Sequence, residues 1–192
     1  MGKSLSRASK EDMSFLTQNT KFCKDQIERW YKGFMKDCPD GKLTKDKFLK
    51  VYSKFFPHRN SSELCEFIFR SFDMDKNGTI EFKEFLVAIS MTSKDSDPEQ
   101  KLNWAFSLYD IDGNGMIDQD EMEKIITAIH HFLGSLADQV KETPKERTQG
   151  IFSRIDTNKD GVISKEEFVE GCMHDPVLQQ LLTVDATSVV DK

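Results

Sequence analysis

DIDGNGMIDQDE, residues 110–121, places oxygen-bearing side chains at positions one, three and five, glycine at six and glutamate at twelve. The same frame recurs as DMDKNGTIEFKE at residues 73–84 and as DTNKDGVISKEE at residues 156–167. In chain order the first frame offers Asp73, Asp75, Asn77, the backbone carbonyl of Thr79 and Glu84. The second offers Asp110, Asp112, Asn114, the carbonyl of Met116 and Glu121; the third offers Asp156, Asn158, Asp160, the carbonyl of Val162 and Glu167. Alternate residues of a tightly turning loop aim their oxygens at one centre, and a hard divalent ion of calcium's size takes six to eight of them. Glycine at six permits the positive φ of the sharp turn. A glutamate at twelve reaches back with both carboxylate oxygens, which favours calcium over the smaller magnesium. Three Ca2+ sites are therefore expected, with Mg2+ taking them when calcium is low. The competing reading of one Asp/Asn/Gly cluster is a solvated turn, the weaker of the two even for a single stretch, and three in register remove it.

The flanks carry a second, helical period. Ile68, Phe69 and Phe72 precede the first frame, Ala105, Phe106 and Tyr109 the second, and Ile151, Phe152 and Ile155 the third, while Phe85, Met122 and Phe168 follow the closing glutamates. Apolar residues at this spacing predict amphipathic helices on both sides of each loop. Position eight is apolar in each frame, as Ile80, Ile117 and Ile163, which suits a short strand pairing with a neighbouring loop. The unit is helix, loop, helix. The first aspartates of the first two frames lie 37 residues apart, and a further 37 back the segment KDCPDGKLTKDK, residues 36–47, repeats the shape. It keeps Gly41 and Leu43, yet Lys36 and Lys47 stand where carboxylates belong, Cys38 replaces an oxygen donor and Pro39 stiffens the turn. This fourth loop is expected to bind no calcium and to serve as structural partner of the Asp73 loop. The stripe Ile27, Tyr31 and Phe34 fits its frame imperfectly, which leaves room for an extra residue at the loop's start.

Charge and composition narrow the function classes. The net charge is −6, but residues 1–56 carry 13 Lys and Arg against 7 Asp and Glu, so the acidity is concentrated further along, in the loops. No run approaches the roughly 20 apolar residues of a membrane span, and no apolar signal sequence opens the chain. A cytosolic location is expected, with Cys23, Cys38, Cys65 and Cys172 reduced there. Neither these cysteines nor His58, His130, His131 and His174 have zinc spacing, and no nucleic-acid partner is expected. No Gly-rich phosphate loop is present, and the carboxylates belong to contiguous loops rather than a convergent catalytic site, so an enzyme is not expected. The opening residues MGKSLS put Gly2 and Ser6 in the G-x-x-x-S arrangement of an N-myristoylation acceptor, followed by Arg7 and Lys10. Basic residues attract anionic lipid, though alone they read as a solvated tail.

MGKSLS, WYKGFMKDCPDG, FFP at residues 55–57, the three intact frames and KLNWAFSLYDIDGNG together resemble the neuronal calcium sensor family, the recoverin, neurocalcin, visinin-like and frequenin group. The resemblance covers essentially the whole chain, and the Cys38-Pro39 pair is its most specific mark. It implies acylation at Gly2, peripheral attachment to the cytosolic face of membranes, and an N-terminal groove that opens with calcium to receive an amphipathic helix of a target: a receptor kinase, lipid kinase, cyclase or channel. Aromatic density in the first half agrees: Trp30, Phe34, Phe48, Val51, Tyr52, Phe55, Phe56, Phe82, Phe85 and Ile89 crowd into one pair of hands. Each reads singly as core; as a group they suit a surface buried in one state and offered in another.

The expected fold is all-α, four EF-hands in two paired lobes with short β-bridges between paired loops. Residues 1–19 form a basic acylated segment, 20–93 the first pair, 94–175 the second and 176–192 a tail in which Val177, Leu178, Leu181 and Leu182 make a short apolar stripe. The expected function is a calcium sensor acting on a target protein, the alternative a cytosolic calcium buffer. Ligand charge ranks the loops: Glu81 and Asp118 at position nine add an acid to the first two frames, whereas Ser164 is neutral. The Asp156 loop should therefore fill last. Calorimetry on Glu84→Gln, Glu121→Gln and Glu167→Gln tests the order, and a transition in which the Asp156 loop fills first contradicts it.

Overall fold

The computed structural model describes residues 8–55, 62–93, 96–133 and 142–175. Ser9 accepts the Asp12 N–H and starts α1 (Lys10–Asn19). The first hand follows as α2 (Lys24–Asp37), β1 (Lys42–Thr44) and α3 (Lys45–Phe55), and the second as α4 (Ser62–Phe72), β2 (Thr79–Glu81) and α5 (Phe82–Thr92). The third hand is α6 (Pro98–Tyr109), β3 (Met116–Asp118) and α7 (Gln119–Leu133), and the fourth is α8 (Pro144–Ile155), β4 (Val162–Ser164) and α9 (Lys165–His174). Sharp starts come from capping. Asp97 accepts the Glu99 N–H ahead of Pro98, and Thr143 forms a reciprocal box with Glu146 ahead of Pro144. A proline at the first helical position gives up only an N–H that has no partner within the helix.

Four short strands assemble the hands in pairs. β1 runs antiparallel to β2 with Leu43 opposite Ile80, and β3 antiparallel to β4 with Ile117 opposite Ile163. Position eight therefore meets position eight in both pairs, and all four side chains are buried. The stripes that precede the intact loops are buried throughout, together with Met122 and Phe168. A single apolar core joins the two pairs, with α4 packed on α6 and α7 and the ring of Phe72 edge-on to Trp104 at 6.3 Å. Among the described residues no helix is long and apolar enough to cross a membrane.

The first hand departs from its siblings at one end only. In the others the helix stops immediately before position one, at Phe72, Tyr109 and Ile155. In the first, α2 continues through Lys36 and Asp37, so the loop lacks two residues at its start, rather than gaining one. Cys38 caps α2, turns into the core and accepts the Gly41 N–H on its carbonyl at 2.9 Å. A lysine in place of aspartate removes the side chain that would hold the following N–H groups, and the helix runs on instead.

The opening segment is not all tail. From Lys10 it is a helix on α5, held by the buried Leu16, by an Asp12 to Lys83 ion pair at 3.2 Å and by the Lys21 N–H donating to Ser90 Oγ at 3.2 Å. Gly2, Lys3, Ser6 and Arg7 lie outside the described residues, as do Phe56 and the apolar stripe at Val177, Leu178, Leu181 and Leu182.

Ile117 is fully buried, whereas Met173 is 49% exposed. Ile117→Ala should destabilise the calcium-free protein by about 2–4 kcal/mol, and Met173→Ala by about 0.5 kcal/mol or less. Urea unfolding checks the pair; equal effects would contradict the placement of β3 in the core.

Candidate metal centres

In each intact loop the residue at position one is an aspartate whose short side chain folds back on the turn. Asp73 Oδ1 accepts the Asn77 N–H at 3.0 Å and Oδ2 the Gly78 N–H at 2.8 Å. Asp110 does the same with Asn114 at 3.1 Å and Gly115 at 3.1 Å. In the third loop Asp156 Oδ2 accepts from Gly161 at 3.1 Å. Position three holds position five: the side-chain amides of Asn77 and Asn114 donate to Asp75 and Asp112, and in the third loop the roles reverse, Asn158 donating to Asp160. Gly78, Gly115 and Gly161 take φ of 83°, 86° and 88°, the left-handed turn for which glycine is needed.

Sequence reasoning missed position four. Lys76, Gly113 and Lys159 are left-handed as well, at φ 57°, 75° and 59°. Two consecutive left-handed requirements two residues apart give the loop its curl, and a lysine carries one of them in two loops although its Cβ disfavours it. The motif's glycine points to position six; position four has no such mark in the first and third loops.

The closing glutamates act identically. Glu84 Oε1 accepts the N–H groups of Met74 and Asp75 at 2.9 and 3.2 Å, and Oε2 that of Glu81 at 2.8 Å. Glu121 accepts from Ile111, Asp112 and Asp118, and Glu167 from Thr157, Asn158 and Ser164. One carboxylate thus ties the loop's first turn to the start of the exiting helix. Backbone N–H donation from Ser164, joined by the Ser164 and Thr157 hydroxyls, outweighs the small burial and pulls the Glu167 carboxyl from 4.5 down to about 2.

These bonds gather like charges. Carboxylate oxygens of Asp73, Asp75 and Glu84 lie within 4.8 Å of one another, and so do those of Asp110, Asp112 and Glu121. The third loop, with Asn158 at position three, makes no such trio among the described residues. It has instead a buried Asp156 Oδ1 with no hydrogen-bond partner. Crowded carboxylates and an orphaned buried oxygen are both relieved by a cation, and an all-oxygen donor set fits a hard one. The residues present therefore fit calcium.

The aromatic set divides. Trp30, Phe34, Phe48, Val51 and Phe85 line one groove of about 550 Å3, with Leu43 and Gly33 in its wall and Arg29, Gln26 and Asp37 also lining it. Phe82 is buried against the rings of Tyr31 and Phe34, and Ile89 packs on the core; neither lines the groove. The side chains of Tyr52 and Phe55 lie outside those described.

Known proteins place this architecture. Residues 39–92 and residues 99–173 each match the EF-hand domain pair family. Over 186 residues the chain is 44% identical to neuronal calcium sensor 1 of Lymnaea stagnalis, spanning 96% of this chain and 97% of that protein. It is 38% identical to human recoverin over 197 residues, all of this chain and 98% of that one, and 38% identical to S-modulin of Aquarana catesbeiana over 198 residues, all of this chain and 97% of that one. The chain belongs to the recoverin and neuronal calcium sensor family of EF-hand proteins, calcium sensors rather than enzymes.

Proposed function

We propose that the chain binds three Ca2+ and uses them to offer the aromatic groove of its first half to an amphipathic helix of a target protein. The observation that carries this reading is the congruence of the three loops: each has the same aspartate holding the turn and the same glutamate spanning the loop. The ligands would be Asp73, Asp75, Asn77, the Thr79 carbonyl and Glu84; Asp110, Asp112, Asn114, the Met116 carbonyl and Glu121; and Asp156, Asn158, Asp160, the Val162 carbonyl and Glu167. Mg2+ would take the same sites when calcium is low. Bound calcium supplies a divalent charge that offsets the clustered carboxylates.

The protein's own residues supply the response. The closing glutamate lies in the first turn of the exiting helix, so any change in how its carboxylate is held is felt by α5 directly. α5 also carries Phe85, which meets Trp30 at 5.8 Å and Phe34 at 5.5 Å between ring centroids. A shift of α5 relative to α2 therefore opens or closes the groove between those rings. Sensor hands open on calcium binding and expose such a surface, whereas buffer hands barely open. A helix with an apolar stripe fits a groove lined by Trp30, Phe34, Phe48 and Val51.

Gly2 is the proposed site of myristoylation. One such chain binds membranes with an association constant of roughly 10⁴ M⁻¹, weak enough for basic residues or a protein pocket to decide where the chain resides. Lys10, with Lys3 and Arg7, would add attraction to anionic lipid, so the acylated protein would attach peripherally.

Calcium should raise the fluorescence of an apolar dye several-fold with the parent protein, and Glu84→Gln should abolish most of that rise although the other two loops still fill at saturating calcium. On anionic vesicles the acylated protein should bind more tightly than Gly2→Ala. Calcium uptake with neither dye response nor binding of an amphipathic helix identifies a buffer and removes the sensor reading.

A further inference from the structure

Two cations of the second hand reach across to the loop of the third. Arg70, in the last turn of α4, donates from Nη2 to the carbonyl of Leu108 at 2.7 Å, and its Cζ lies 5.4 Å from the centroid of the Phe67 ring. Leu108 is two residues ahead of Asp110, at the end of α6. A helix leaves its last carbonyls without partners inside the helix, so each that is buried needs an external donor. The Phe106 carbonyl is served by the Asp110 N–H at 2.9 Å; that of Leu108 is served by Arg70. Lys76 makes the second crossing. At position four of the Asp73 loop, its ammonium lies 2.6 Å from where a Cβ on Gly113 would stand, and Gly113 is position four of the Asp110 loop. Position four of one loop thus lies against position four of the other.

We propose that Arg70 is a positioning residue that couples the second and third calcium loops: its bond from α4 to Leu108 sets the end of α6 from which Asp110 projects. This rests on calcium binding at the Asp73 and Asp110 loops. Arg70 stands three residues before Asp73, and the Asp73 N–H is tied to the carbonyl of Phe69 at 3.0 Å, so the end of α4 and the first ligand of its own loop move as one piece. A change of α4 on filling of the Asp73 loop is passed by the guanidinium to α6. The contact is backed by packing, since Phe72 of α4 lies against Trp104 of α6. Partial burial lowers the pKa of Arg70 and the charges of Asp110 and Glu121 work against that shift; a guanidinium is a cation and a donor in either case.

Charge and position predict opposite outcomes, which makes the proposal testable. A guanidinium acting only as a charge repels the incoming cation, and its removal tightens the Asp110 site. A guanidinium that positions the ligand loosens the site when removed. Gly78, Gly115 and Gly161 each donate an N–H to the first aspartate of their own loop, so their amide resonances report the loops separately in a calcium titration of the full chain. Arg70→Met should weaken binding read at Gly115 about tenfold and leave that read at Gly161 within about twofold. In the parent, Glu84→Gln should weaken binding at Gly115 by about fivefold or more; with Arg70→Met the same change should have about a twofold effect or less. If Arg70→Met does not fold, Arg70→Gln, neutral and too short to span to Leu108, carries the same expectations. Tighter or unchanged binding at Gly115, or an undiminished effect of Glu84→Gln, overturns the coupling role. A Gly115 response to calcium that survives Glu121→Gln removes instead the calcium assignment beneath it.

Discussion

Backbone N–H donation to carboxylates is the constraint on which the molecule depends. Each intact loop must hold several acids at a spacing where they repel, and it does so by giving the aspartate at position one and the glutamate at position twelve main-chain donors. Asp73 takes two such donors and Glu84 three. A carboxylate that accepts backbone N–H groups is stabilised in its charged form. The same donors fix the loop's curl, the curl brings position eight into register with its partner loop, and the isoleucines there close the core between the hands. Site and fold are therefore one arrangement: substituting a closing glutamate removes a proposed ligand and also the tie between the loop's first turn and its exiting helix.

The first hand shows what remains when that arrangement is lost. Without an aspartate at position one the incoming helix is not stopped, and α2 absorbs two residues of the loop. What survives is the half that pairs: Gly41 keeps its left-handed φ of 76°, and Leu43 still meets Ile80. An unpaired second hand would present Ile80 and its strand edge to water, so the first hand covers the second whatever its own loop binds.

The pairing of the loops and the helix boundaries around the three intact frames were legible because each rests on a local rule. A carboxylate at fixed spacing, a glycine at a forced turn and an apolar stripe at helical period all act within a dozen residues. What was not legible depended on contacts between distant segments. Ser9 and the acids Glu11 and Asp12 mark a helix start, but nothing in KEDMSFLTQN says where that helix docks, which is decided by α5, by α2 and by the burial of Leu16. The division of the aromatic set, with Phe82 behind the groove and Phe85 in it, depends on which face of α5 meets α2. Arg70 gave no signal at all, because a basic residue in the last turn of a helix ordinarily reads as a partner for that helix's own carbonyls, and this one serves another helix.

α1 is held lightly by the rest of the protein. It contributes one fully buried side chain, worth about 2 kcal/mol. Its ion pair to Lys83 joins side chains that are 32% and 48% exposed, a class of contact that adds about 1 kcal/mol or less. Every other helix either flanks a loop whose strand is paired or, as with α4 and α6, lies between the two lobes. The free energy that docks α1 is thus of the order that a small change in α5, which supports it together with α2, can offset. α5 begins with the glutamate that closes the Asp73 loop and carries the Phe85 ring of the groove. One helix therefore carries a proposed calcium ligand, a wall of the groove and the seat of the N-terminal helix, so a displacement of α5 acts on all three at once.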